Sequence, residues 1–96
     1  MVLGRSPRRS RGAAAVVTGA GSGIGAAVAI ELADRGGAVV CSDIDDAAAQ
    51  RTVQTITERG GDATALHADV SRRADVEQLA ADATAWGARP PTLVIN

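Results

Sequence analysis

Four short apolar runs, separated by three longer amphipathic segments, constrain the fold of this chain more than any other feature. Ala13-Ala14-Ala15-Val16-Val17-Thr18 is a continuous apolar run ended by Gly19, the pattern of a strand buried on both faces. From Gly23 to about Arg35, the apolar residues Ile24, Val28 and Leu32 recur every four positions. Glu31, Asp34 and Arg35 fall largely on the other side, and Gly36-Gly37 supplies a stop, so the spacing predicts a helix. Ala38-Val39-Val40-Cys41-Ser42-Asp43 is a second strand. Asp45 or Asp46 is placed to cap a second helix, which runs to about Arg59 with Ala49, Val53 and Ile56 facing inward. Gly60-Gly61 ends that helix, and a third, weaker strand spans 63–68. Ser71 is a candidate cap for a third helix, in which Val76, Leu79, Ala80 and Ala83 follow the i, i+3, i+4, i+7 stripe. Trp86 and Gly87 close it, Pro90-Pro91 forbid its continuation, and Thr92-Leu93-Val94-Ile95-Asn96 is a fourth strand.

The order βαβαβαβ with tight connections belongs to the α/β class. Parallel strands need helical crossovers, and those crossovers are right-handed. The expected architecture is therefore the N-terminal half of a Rossmann-type doubly wound parallel sheet with strand order 3-2-1-4. Its ligand crevice belongs beside the first strand, where the winding reverses. Residues 13–96 make up this partial domain. Residues 1–12, MVLGRSPRRSRG, combine Pro, Gly and Ser with four arginines and no apolar periodicity, and read as a flexible basic tail.

With 96 residues, 46% hydrophobic and 22% charged, the chain is at most one small globular domain. Its net charge of −1 hides an asymmetry: outside the tail, six arginines face eleven acids, a balance of −5. Twin Arg8-Arg9 ahead of an apolar stretch is how an export signal begins. Here Gly19, Gly21, Gly23 and Gly25 interrupt the stretch and Glu31 and Asp34 follow on a helical pattern, so no such signal is expected. Four arginines without aromatic partners do not form a nucleic-acid surface, and no apolar run reaches the ~18 residues of a membrane span. A single Cys gives no internal disulfide and so no support for an oxidising compartment, which leaves the cytoplasm as the expected location. Cys41 and His67 fall short of the roughly four ligands that zinc needs, and no metal site is expected.

The chemistry lies in Thr18-Gly19-Ala20-Gly21-Ser22-Gly23-Ile24-Gly25, between the first strand and the first helix. A pyrophosphate must approach this backbone more closely than a Cβ permits. Gly19 lets the chain turn out of the strand, Gly23 removes the side chain facing the phosphates, and Gly25 lets the helix pack close to the sheet. The first-turn N–H groups near Gly23 and Ile24 then point at the anion with the helix dipole behind them, and the Ser22 hydroxyl is a further donor. Glycine-rich turns also arise for steric reasons alone, but this one has a strand before it, a helix after it and an acid in the right place. Asp43 ends the second strand, 18 residues after Gly25, where a carboxylate reaches the adenosine ribose.

With these residues in view, the chain resembles the short-chain dehydrogenase/reductases. The likeness rests on Thr-Gly-x-x-x-Gly-Ile-Gly at Thr18 to Gly25, on Asp69-Val70 after the third strand, and on Leu93-Val94-Ile95-Asn96, which is similar to the family's fourth strand running into its Asn-Asn-Ala-Gly motif. It covers residues 13–96. The resemblance implies cofactor contacts from Gly19, Ser22, Gly23, Ile24, Asp43, Ile44, Asp69, Val70 and Asn96, with adenine contacts at Asp69-Val70. It also implies hydride transfer between NAD(H) and an alcohol or carbonyl substrate.

Other readings of single residues stand beside these. Asp43 also suits a turn cap, although Asp45 and Asp46 already serve the next helix, and Asp69 also suits an exposed strand-end acid. His67, inside a strand, reads as structural, Cys41 as an inert core thiol and Trp86 as packing at a helix end. Charge decides the cofactor. The Asp43 carboxylate accepts from the two ribose hydroxyls of NAD and repels the 2′-phosphate of NADP. Where NADP-accepting members of the family carry a basic residue, this chain has Ser22 and Ile44.

The resemblance also names what this chain lacks. The family transfers hydride with a Tyr-x-x-x-Lys pair and a Ser, and the sequence contains no Tyr and no Lys. No catalytic residue is therefore assigned, and the 96 residues alone are expected to be inactive. The expectation is the cofactor-binding part of a longer oxidoreductase. A free-standing dinucleotide-binding module and a non-functional fragment are the alternatives. Substrate-shaping and oligomer-forming segments would follow Asn96.

Overall fold

The computed structural model describes residues 14–87, 91 and 93–95, so the basic tail and Asn96 lie outside the described residues. Strands β1 (Ala15–Thr18), β2 (Ala38–Asp43), β3 (Asp62–His67) and β4 (Leu93–Ile95) alternate with helices α1 (Gly23–Asp34), α2 (Asp46–Glu58) and α3 (Arg73–Gly87). The strands form one parallel sheet in the order β3-β2-β1-β4. Register is continuous across it: Val16 pairs with Val40 and Val94, and Asp43 pairs with His67. The C-terminal ends of β1, β2 and β3 thus finish on the same edge, where the connecting turns lie.

Side-chain alternation along the two central strands divides the core into two halves. Val17, Val39 and Cys41 join Ala29 and Ala33 of α1 and Ala49 and Ile56 of α2. Val16 and Val40 join Leu79 and Ala83 of α3, with Leu66 and Trp86 packed alongside. A sheet covered on both faces requires apolar residues at consecutive positions, which is why β2 reads as an unbroken buried run from Ala38 to Ser42. Cys41 is fully buried, and desolvation pushes its thiol up to about 11, out of the reactive range. Trp86 packs at the end of its helix.

Three details differ from the sequence reading. In α1 the stripe against the sheet is Gly25, Ala29 and Ala33, one position on from Ile24, Val28 and Leu32. Val28 and Leu32 only flank the core, and Ile24 is 83% exposed. Distance is the reason: a Cβ on Gly25 would lie 2.0 Å from the Gly19 carbonyl oxygen, so α1 starts too close to β1 for large side chains to point inward. In α3, Leu79, Ala83 and Gly87 are buried while Val76 and Ala80 are exposed. Ser71 does not cap α3, which begins at Arg73; its amide and hydroxyl donate instead to Asp69 Oδ1 at 3.0 and 2.6 Å. Asp45 does cap α2, accepting from the Ala48 amide at 3.1 Å.

At the far end of the helices, Arg59 after α2 grips Asp34 at the end of α1 through both guanidinium and carboxylate forks. The Arg59 hydrogen bond holds the Asp34 carboxyl below its usual range. No helix among the described residues is long and apolar enough to cross a membrane.

This packing separates two isoleucines of equal size. Ile56→Ala should destabilise the chain by about 2–5 kcal/mol, and Ile24→Ala by less than about 0.5 kcal/mol, as measured by urea denaturation. Gly25→Ala should lower the melting temperature by more than Ile24→Ala does, because its new methyl meets backbone that has nowhere to go.

Candidate functional site

The turn between β1 and α1 is built from backbone conformations that side chains resist. Gly19 and Gly23 hold φ of 68° and 58°, and a Cβ at either would meet nothing within 4 Å. The backbone there is left bare toward open space, as close approach by a ligand requires. Gly21 is the opposite case. A Cβ on it would lie 2.5 Å from the Ala48 Cβ and 2.8 Å from Asp43 Oδ2, so its missing side chain makes room for the protein and not for a ligand.

Helix α1 follows with an N-terminus unlike those of its neighbours. Its N-cap Ser22 is extended and makes no side-chain cap hydrogen bond, and no acidic residue lies in the first turn. Helices α2 and α3 carry Asp46 and Asp75 there. An acid in the first turn complements the positive end of a helix. Without one, the α1 dipole and its first amides remain available to an anion from solution, with the Ser22 hydroxyl beside them.

A cleft of about 210 Å³ opens next to this turn at the C-terminal ends of β1, β2 and β3. Gly19 lines one side, Ser42, Asp43 and Ile44 the centre, and Asp69 and Val70 the other side. Ile44 and Val70, both lining the cleft, are 63% and 49% exposed, two large apolar side chains left open to solvent there. Ser42 lies at the base, fully buried, and its hydroxyl has no hydrogen-bond partner. A buried polar atom left in this way favours a ligand that brings a polar group of its own.

Asp43 links cleft and turn. Its Oδ2 accepts from the Gly21 amide at 2.8 Å and its Oδ1 from the Asp45 amide at 3.0 Å. It therefore does the turn-capping job weighed against it from sequence, and it also holds the glycine turn. An ionised carboxylate has about four acceptor positions, so both oxygens retain capacity for ribose hydroxyls. Asp69 is likewise engaged locally. The Ser71 hydroxyl, then the Ser71 amide, hold its carboxyl below the usual range, with smaller shares from Arg72 and His67. Its own amide donates to Asp75 Oδ2 at 2.9 Å. His67 is exposed at the end of β3.

The structure thus gathers Gly19, Asp43, Ile44, Asp69 and Val70 around one cleft, and sets Ser22, Gly23 and Ile24 at the adjoining helix N-terminus. Asn96 lies outside the described residues. Two contributors escaped the sequence reading. Ser42 carried the faint signal of a hydroxyl ending an apolar run. Thr52, 5% exposed, donates to the Ala20 carbonyl at 2.8 Å; its signal was a polar residue on the inward stripe of α2 between Ala49 and Ile56.

The residues fit a dinucleotide: bare amides and an acid-free helix end for a diphosphate, a carboxylate beside them for a sugar, and an apolar-rimmed cleft for a base. Residues 13–95 match the family described as short chain dehydrogenase. The chain is 44% identical over 98 residues to the (3R)-3-hydroxyacyl-CoA dehydrogenase of Canis lupus familiaris, an alignment covering 95% of this chain and 38% of that protein. Among solved structures, a hydroxysteroid dehydrogenase from Escherichia coli superposes with a TM-score of 0.84 at 35% identity, over 92% of this chain and 37% of that one. A metagenomic short-chain oxidoreductase in complex with NADP gives 0.79 at 34% identity, over 85% and 37%. The chain spans about two-fifths of the length of the relatives it matches. By motif, fold and the match over 13–95, this chain belongs to the short-chain dehydrogenase family of oxidoreductases.

Proposed function

We propose that residues 13–96 bind NAD(H) as the cofactor-binding part of an oxidoreductase that acts on an alcohol or carbonyl group. The observation that carries this reading is the acid-free N-terminus of α1, opening from a glycine turn that Asp43 holds from the end of β2. In it, the amides at Gly23 and Ile24, with the Ser22 hydroxyl, receive the diphosphate, and Gly19 lets it approach the backbone. Asp43 accepts from the adenosine ribose. Ile44 and Val70 flank the adenine, with Asp69 at its edge, and Asn96 adds a contact after β4. The bound dinucleotide supplies the hydride acceptor or donor; the chain's own residues bind it, orient it and select it.

Selection rests on charge. The Asp43 carboxylate beside a 2′-phosphate is a like-charge contact, and no basic residue at Ser22 or Ile44 relieves it. The sequence also has no Tyr and no Lys, so the 96 residues by themselves are proposed to bind cofactor without turning substrate over. The proposed setting is the cytoplasm, with NAD(H) as the partner of this chain and the alcohol or carbonyl a partner of the whole enzyme.

Calorimetric titration tests the reading. NADH should bind at least about tenfold more tightly than NADPH, a difference of about 1.4 kcal/mol. Equal affinities would remove the proposed preference. Asp43→Ala should narrow the gap, chiefly by weakening NADH, because the variant loses both the ribose acceptor and the anchor of Gly21. Gly23→Ala should weaken both cofactors by about tenfold or more while costing the unliganded fold only about 1–2 kcal/mol, the penalty of a left-handed backbone bearing a Cβ.

A further inference from the structure

Four threonines lie in the helices, and three of them behave alike. Thr55, Thr57 and Thr84 each donate to the carbonyl four residues back, at 3.2, 2.8 and 2.7 Å. That is the ordinary use of a helical threonine hydroxyl. Thr52 is different. Its corresponding carbonyl, Ala48, is 3.5 Å away, and the hydroxyl instead leaves the helix to reach the Ala20 carbonyl at 2.8 Å, in buried surroundings.

The acceptor gives this bond its meaning. The Ala20 carbonyl and the Gly21 amide are the two ends of one peptide group. Thr52 donates to its oxygen, and Asp43 Oδ2 accepts from its N–H at 2.8 Å. In a trans peptide these two dipoles point in opposite directions, so the plane is gripped from both sides, and a flip would break both bonds together. The Ala20 amide, one peptide earlier, donates to the Ser42 carbonyl at 3.0 Å. Gly21 has room for no more than a hydrogen against Ala48, which lies one helical turn before Thr52. The chain next passes through Ser22 and Gly23 into the first amides of α1, which begin two residues beyond the Ala20–Gly21 peptide.

We propose that Thr52 is a positioning residue for cofactor binding: with Asp43 it locks the Ala20–Gly21 peptide and so pre-organises the amides that receive the diphosphate. The inference rests on the reading of this turn as the diphosphate site. A preformed turn binds without first selecting a minor conformation, and loss of the lock lowers affinity by the fraction of time the turn is competent. Thr52 touches neither sugar nor base, so its loss acts on NADH and NADPH by the same factor. Asp43, which faces the ribose, changes their ratio.

The test uses the full 96-residue chain with NADH and NADPH as probes. Thr52→Val keeps the volume and removes the donor, and should weaken both nucleotides about five- to tenfold, as when the competent turn is populated roughly a tenth to a fifth of the time. Their ratio should be unchanged. Thr52→Ser restores the donor and should return both affinities to within about twofold of wild type. Wild-type affinity in Thr52→Val, or failure of Thr52→Ser to rescue, overturns the inference while leaving the diphosphate reading intact. A wild-type chain that binds neither nucleotide overturns both. A second measurement needs no variant and covers the case in which Thr52→Val does not fold. The Thr52 hydroxyl proton should be observable by NMR as protected from exchange and should exchange more slowly still with NADH bound. A hydroxyl in rapid exchange whether or not NADH is present overturns the inference.

Discussion

The contact between α1 and the turn that delivers it leaves no room for a side chain at Gly25, whose Cβ would lie 2.0 Å from the Gly19 carbonyl oxygen. Much of the molecule follows from that proximity. A helix this near the sheet can present only small residues to it, and Ala29 and Ala33 continue the stripe that Gly25 begins. With the helix start pressed against the end of β1, its first amides are brought to the edge where β2 and β3 also finish. The same closeness that thins the core at this point sets the start of α1 beside the cleft at the ends of β1, β2 and β3.

Around this contact the protein spends polar groups in an uneven way. Helices α2 and α3 are stabilised at their starts by Asp46 and Asp75, and Asp45 caps α2. Helix α1 has neither an acid nor a side-chain cap. An N-terminus left this way forgoes stabilisation that the other two receive. Buried hydrogen bonding is concentrated instead on the turn ahead of it, at Ala20 and Gly21. Hydrogen bonds hold the backbone ahead of the helix, and the first turn of α1 itself has no side-chain cap.

Family membership and the cleft describe different levels of the same molecule. The match over 13–95 and the superposition with solved short-chain enzymes establish the fold and the family. The choice between the two nicotinamide dinucleotides belongs to the proposed reading, in which it rests on single side chains, chiefly Asp43. Asp43 also has a structural task, because its Oδ2 accepts from the Gly21 amide of the glycine turn. In the proposed reading, recognition of the sugar and shaping of the diphosphate site are thereby joined in one carboxylate.

From the sequence alone came the number, kind and order of the elements, the glycine turn between β1 and α1, and the position of Asp43 at the end of β2. These are legible because they depend on neighbours within a few residues: apolar runs, glycine stops and cap residues act locally. Tertiary structure alone decided which stripe of α1 meets the sheet, why Ser71 turns to Asp69 instead of capping α3, and what Thr52 holds. Periodicity reports how apolar residues are distributed around a helix axis, but not how near that axis lies to its neighbour, and it was nearness that turned α1 onto its alanines. Thr52 and Ala20 stand 32 positions apart, and a hydrogen bond across that separation exists only once the crossover has laid α2 against the turn.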